Sequence, residues 1–169
     1  MTRAACIPVT LAIALAVGAT SASALSETAR ITTAGLGSVK LGMTAPEVGH
    51  AVNRPITLTS TPGSPCAIVT LAPKTRGLFT GKRLRRIYID TSRFATTAGI
   101  RVGSSEPAVL AAYHGLLARV PQKYVPAGID LVLPRGTSNR KMIFSLTHGK
   151  VTEISTGRTP EINLVEGCS

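Results

Sequence analysis

Acidic side chains are few, eight Asp and Glu in 169 residues against nineteen Lys and Arg. They stand singly along the chain, so no pair of carboxylates is placed for acid–base chemistry. Histidine is scarcer still. His50 and His114 fall on or near two expected helices and His148 in an expected hairpin turn. Neither an H-x-x-x-H nor a C-x-x-C spacing exists to hold zinc. A G-x-S-x-G nucleophile elbow and a G-x-x-x-x-G-K phosphate loop are both missing. These absences predict a protein that is not an enzyme, with no metal and no cofactor. Long apolar runs are lacking too. The stretch Ile7 to Val17 is shorter than the ~20 residues that a membrane-spanning helix needs, so no transmembrane segment is expected.

That stretch reads instead as the core of a secretory leader. Arg3 is the only charge before Glu27, and small residues follow, ending in Ala22-Ser23-Ala24, an A-x-A cleavage signal. Residues 1–24 are therefore expected to be removed after Ala24. Residues 25–169 remain as a single, monomeric domain, secreted or held in the cell envelope. Cys6 leaves with the leader. The remaining pair, Cys66 and Cys168, reads as a disulfide in an oxidising compartment; the alternative is two unpaired buried thiols.

The formal net charge is +11, a statement about partners and solubility rather than fold. Export turns it away from nucleic acid and towards an acidic cell-wall polymer, an anionic lipid surface or an acidic protein. A compositional preference for arginine explains the same number. The densest cluster is Lys74, Arg76, Lys82, Arg83, Arg85 and Arg86, with Tyr88 close by. It reads as a basic contact surface on one hairpin, or as solvated cations that keep a strand edge from pairing. Arg86 and Tyr88 lie two residues apart on an expected strand and share a face. They form the best candidate pair for a partner, since Arg and Tyr are common interface anchors.

The architecture is read from an internal echo. V-K-L-G-M-T-A-P-E-V-G-H-A-V, Val39 to Val52, returns as I-R-V-G-S-S-E-P-A-V-L-A-A-Y, Ile100 to Tyr113. Thr44 and Glu47 make a T-x-x-E capping box, Pro46 suits a first helical turn, and Ser105 takes the place of Thr44 in the second copy. Strands are expected from Cys66 to Leu71, Arg83 to Asp90, Ile129 to Leu133, Met142 to Leu146 and Val151 to Thr156. On the second of these, Arg85, Ile87 and Ile89 are expected on one face, and Leu84, Arg86 and Tyr88 on the other. The predicted fold is α+β: two tandem repeats of a helix plus antiparallel strands, approximately 35–94 and 95–169, with the strands joined or packed as a sheet and the helices on one face. The two copies differ most in their last strands, basic over Leu84–Ile87 and neutral to acidic over Val151–Ile154.

G-L-G-S-V-K-L-G-M-T near Gly35, T-T-A-G-I-R-V-G at Thr96–Gly103 and the terminal Glu166-Gly167-Cys168 resemble segments of a group of small exported actinobacterial proteins of unknown function. The G-M-T helix start also resembles the outer-membrane assembly lipoproteins of the SmpA/OmlA type. Its tandem use resembles the secreted β-lactamase inhibitory protein, whose two repeats join into one curved sheet. The repeat architecture, a sheet face left available and the absence of catalytic groupings point to a secreted binding or inhibitory module acting on an extracellular or envelope protein. The alternative is an envelope-associated protein that binds anionic polymer or lipid through its basic hairpin.

Overall fold

The computed structural model describes residues 25–59, 64, 66–134, 139–165 and 167–168; the expected leader lies outside them. In chain order the elements are β1 (Arg30–Thr32), β2 (Gly35–Leu36), β3 (Val39–Lys40), α1 (Ala45–Ala51), β4 (Cys66–Ala72), β5 (Thr75–Thr80), β6 (Arg83–Ile89), β7 (Ala95–Thr96), α2 (Glu106–Ala112), β8 (Ala118–Pro121), β9 (Ile129–Pro134), β10 (Arg140–Thr147) and β11 (Lys150–Arg158), followed by a 3-10 turn at Glu161–Asn163. A seven-stranded sheet runs in the order β4-β5-β6-β11-β10-β9-β8, and a four-stranded sheet in the order β3-β2-β1-β7. All pairings in the larger sheet are antiparallel. In the smaller sheet, β1 and β7 pair in parallel.

This corrects the expected fold class. Strand takes 43% of the described residues and helix 13%, so the protein is mostly β. It is not a pair of helix-plus-strand repeats with helices laid on a sheet face. The helices are two turns long because their ends come early. Val52 is the C-cap of α1 and Asn53 takes a left-handed φ of 54°. Tyr113 is the C-cap of α2, and Gly115 follows at φ 71°. Each helix sends one fully buried valine inward, Val48 and Val109. The rest of that layer is supplied by the short strands through Ile31, Leu36 and Val39 and by loop residues such as Phe94 and Ile100. Opposite them stand Leu84, Ile87, Leu131, Phe144, Leu146 and Ile154 of the large sheet. Thr156 Oγ1 ties the two sheets together by donating to the Thr32 carbonyl at 2.9 Å.

The echoed segments make matching bonds. Gly42 N–H donates to Leu84 O at 2.7 Å, and Leu84 N–H to Met43 O at 2.8 Å. Gly103 N–H donates to Val151 O at 2.7 Å, and Val151 N–H to Ser104 O at 2.9 Å. Each helix start is thus pinned to the first residues of a central strand, β6 in one half and β11 in the other, and these two strands pair with each other. In α1 the Glu47 carboxylate accepts from both the backbone N–H and the hydroxyl of Thr44, at 2.7 and 2.8 Å. Those bonds hold its pKa below the ordinary value.

Two features of the large sheet depart from strict alternation. β5 was not expected, because Thr75-Arg76-Gly77 reads as part of a turn. The glycine is there for space: a Cβ on Gly77 would stand 2.8 Å from Leu84 Cδ1 and 3.1 Å from Leu71 Cδ1. Gly77→Ala is expected to overpack this contact and lower stability by about 1–3 kcal/mol, measurable by urea unfolding; an unchanged midpoint would show that the leucines move aside freely. The second departure is a bulge. Leu78 pairs with Arg86 and Phe79 with Leu84, leaving Arg85 without an opposite residue. Leu84 therefore joins Ile87 and Ile89 in the core instead of sharing a face with Arg86 and Tyr88.

Candidate functional site

One face of the large sheet covers the core. The other floors a cleft of about 810 Å³. The registers place its side chains in rows across the strands. Arg76, Tyr88, Ser155, Ile143, Val132 and Ala118 form one row from β5 to β8. Glu153, Ser145, Asp130 and Val120 form the next. Leu78, Arg86, Gly157 and Lys141 form a third.

Two segments overhang the floor. One is the loop Gln122–Val125 after β8. The other is the chain beyond β11, which turns through the 3-10 segment and runs back over β6. The second strap ends in the Cys66–Cys168 disulfide, with Cα atoms 5.4 Å apart, the bridge expected of a cysteine pair in an oxidising compartment; it fastens the strap to β4. Gly167, just before the bridge, takes φ +68°, and a Cβ there would stand 3.2 Å from the Tyr88 hydroxyl. The glycine of the terminal E-G-C thus answers a left-handed backbone and a close approach together.

The charged end of the cleft lies on β5, β6 and β11. Arg86 is buried. Its Nη1 donates to the Leu164 carbonyl at 2.7 Å and its Nη2 to Ser155 Oγ at 3.1 Å, so one guanidinium holds both the strap and the floor. Its charge faces Glu153 at 3.7 Å. Arg76 bridges Asp90 at 3.0 Å and Glu153 at 3.5 Å. The Tyr88 ring carries both guanidiniums, with their carbons 4.3 Å (Arg86) and 4.9 Å (Arg76) from its centroid. Burial raises the Tyr88 phenol above its ordinary pKa, and its buried hydroxyl has no hydrogen-bond partner among the described residues. Burial also pushes the Glu153 carboxyl up to about 7, with Arg86 opposing and Asp90 reinforcing the shift. Two arginines beside a carboxylate would ordinarily hold it low. Here desolvation and a second carboxylate outweigh them.

The structure divides the basic cluster seen in the sequence. Arg76, Arg86 and Tyr88 lie in the cleft. Lys74 is exposed in the turn before β5, and Lys82 in the turn after it. The six residues of β5 between them span roughly 20 Å. Arg83 is exposed at the second turn, where it donates to the Gly42 carbonyl and stands 3.9 Å from Glu47. Arg85, in the bulge, stands 3.9 Å from Glu161 of the strap. Sequence reasoning missed Glu153, Asp90 and Lys141. A signal for Glu153 was present: the basic and acidic last strands, noted as a difference between the copies, are β6 and β11, which pair directly. Among the described residues no group of His, Cys, Asp and Glu is placed to hold a metal, and no helix is long and apolar enough to cross a membrane.

No family model matches the chain, and no curated protein matches it. Among solved structures it is similar to an extracellular protein containing an SCP domain from Bacillus anthracis str. Ames. The identity is 5% and the TM-score 0.49, over 70% of this chain and 44% of that one. The chain thus spans less than half of that protein's length, and a likeness at this level says nothing of activity.

Proposed function

We propose that this is an exported binding module, not an enzyme, and that the cleft on the large sheet is its ligand seat. The observation that carries the reading is where the exposed apolar side chains lie. Among the described residues eight large hydrophobic side chains are exposed, and six of them, Ile68, Val120, Tyr124, Val125, Leu164 and Val165, line the cleft. Scattered exposed hydrophobics are ordinary; their collection in one concavity marks a contact site. The disulfide and the leader-like first 24 residues support export. A basic hairpin that grips anionic polymer has less behind it. Its exposed cations stand at opposite ends of β5, and Arg83 is already shared with Glu47.

The reading is tested by capture from culture supernatant and envelope extract, with the unaltered protein and a Val120→Asp variant side by side. A saturable ligand, protein or small molecule, retained by the first and lost by the second is expected. Equal retention by both would remove the cleft as the seat.

A further inference from the structure

Resting on the cleft as the ligand seat, we infer that its occupant is a single-chain anionic amphiphile: an acyl chain ending in a carboxylate, taken up as a monomer. The shape is the first ground. The cleft crosses β5-β6-β11-β10-β9-β8, five inter-strand steps of ~4.8 Å or roughly 24 Å along the sheet. Its volume of about 810 Å³ falls within the ~300–1,000 Å³ of small-molecule sites. The cleft is therefore elongated, and the part of it from β10 to β8, two of those steps taken diagonally, suits a thin chain.

The walls are the second ground. Towards β8 the floor is Ile143, Val132 and Val120, overhung by Leu164 and Tyr124. Two of the polar side chains there are already engaged with one another: Gln122 Nε2 donates to Asp130 Oδ1 at 2.8 Å, and also to the Ile129 carbonyl at 3.3 Å. An extended peptide would bring backbone N–H and C=O groups that all require partners. The sheet edges supply them only in part. Pro121 has no N–H to offer on β8, and an Arg54 guanidinium donates to the Thr70 carbonyl on β4. An acyl chain has no such requirement.

Charge is the third ground. Four cationic side chains line the cleft, Arg76, Arg86, Lys123 and Lys141, against two carboxylates, Asp130 and Glu153. Arg76 and Arg86 face Glu153. The Lys141 ammonium instead donates to a neutral oxygen, Asn163 Oδ1, at 3.3 Å. Lys141 precedes Ile143 by two residues on β10 and shares its face, so it stands where the apolar floor begins. The carboxylate head docks on Lys141, and the chain runs over Ile143 and Val132 towards Val120.

Calorimetric titration of the protein with its disulfide intact tests this. The probes are sodium decanoate, dodecanoate, tetradecanoate and hexadecanoate below micelle-forming concentration, the matching primary alcohols, and vesicles containing anionic phospholipid. One-to-one binding of the acids is expected. Each added methylene should tighten it about fourfold, the equivalent of ~0.8 kcal/mol, until the cleft is filled. The acids should bind about tenfold tighter than the alcohols, as a charge-assisted head contact requires. Lys141→Gln should abolish that difference and keep the chain-length dependence. Val120→Asp should weaken every acid and alcohol, with the near-UV spectrum unchanged. Absent saturable binding, equal binding of acids and alcohols, binding to vesicles alone, or a dimer through this face that Val120→Asp dissociates would each overturn the acyl-carboxylate assignment. If the capture experiment still finds a Val120-dependent ligand while no acid binds, the cleft remains the seat and only the acyl assignment falls. If both fail, both readings fall.

Discussion

Replacing Cys66 and Cys168 together with serine is expected to lower the free energy of unfolding by roughly 4–5 kcal/mol. The bridge joins residues 102 apart, and a cross-link of that span removes much of the freedom of the unfolded chain. Its effect on the folded state is local. The strap keeps the Arg86 bond to the Leu164 carbonyl, the Lys141 bond to Asn163 and the Arg85–Glu161 approach, none of which reaches as far as Gly167. The end of the strap should therefore lift from Tyr88, uncover the buried Leu78 and expose more of Ile68, which a Gly167 Cβ would stand 3.6 and 3.3 Å from. Urea unfolding of the oxidised protein and the double serine variant measures the loss, which for a chain of this size corresponds to a fall in Tm of roughly 10–20 °C. A loss under about 1 kcal/mol would mean that the unfolded chain is constrained by other means. Ligand affinity measured on the same pair separates a strap that shapes the cleft from one that only stabilises the sheet.

The parts of this fold that sequence patterning shows best are those whose two faces meet different surroundings. On β10, Met142, Phe144 and Leu146 enter the core while Ser145 faces the cleft, and the period-two pattern is plain. The same holds for β9. β1, β2, β3 and β7 are two or three residues each, too short for any period to register, so the second sheet was invisible. Its absence from the expectation made the helices look like the cover of the core. β5 was hidden by Gly77, whose purpose is to admit Leu84 and Leu71 from the flanking strands β6 and β4 and not to turn the chain. The bulge at Arg85 reversed the expected facing of Leu84, since one extra residue shifts the alternation. Of the candidate site, the disulfide and the shared face of Arg86 and Tyr88 were legible, being a pair in an oxidising context and a spacing of two. The cleft as a whole was not. Its floor joins β5 and β6 to β8–β11 through the β6–β11 pairing, and that neighbour relation leaves no local mark in the chain.

The largest pH effect should come from Glu153. Its carboxyl is pushed up to about 7 from the ordinary 4.5, so the folded protein holds this proton more tightly than the unfolded chain does. Folding takes up a proton between those values. Stability is greatest, as far as this group is concerned, at and below pH 4.5 and falls as pH rises towards 7. The full shift corresponds to roughly 3 kcal/mol, at 1.36 kcal/mol per unit, an upper figure for a group that shares its proton with Asp90 and faces Arg76 and Arg86. Glu47, whose pKa is lowered, acts in the opposite sense at more acid pH, which places the optimum between the two. Urea unfolding from pH 4.5 to 8 should therefore show stability declining across neutrality, and Glu153→Gln should flatten the decline, because the amide keeps the hydrogen bonding and has no proton to lose. A carboxyl carbon-13 titration places the Glu153 midpoint directly; a midpoint below 5, or a slope that survives the glutamine, would show that Arg76 and Arg86 overcome burial. The same proton bears on the ligand. Above neutrality an ionised Glu153 engages both arginines. Below it that charge opposite Arg76 and Arg86 is lost, and the cleft becomes more cationic. Dodecanoate should then bind more tightly at pH 6 than at pH 8, and that difference should vanish in Glu153→Gln.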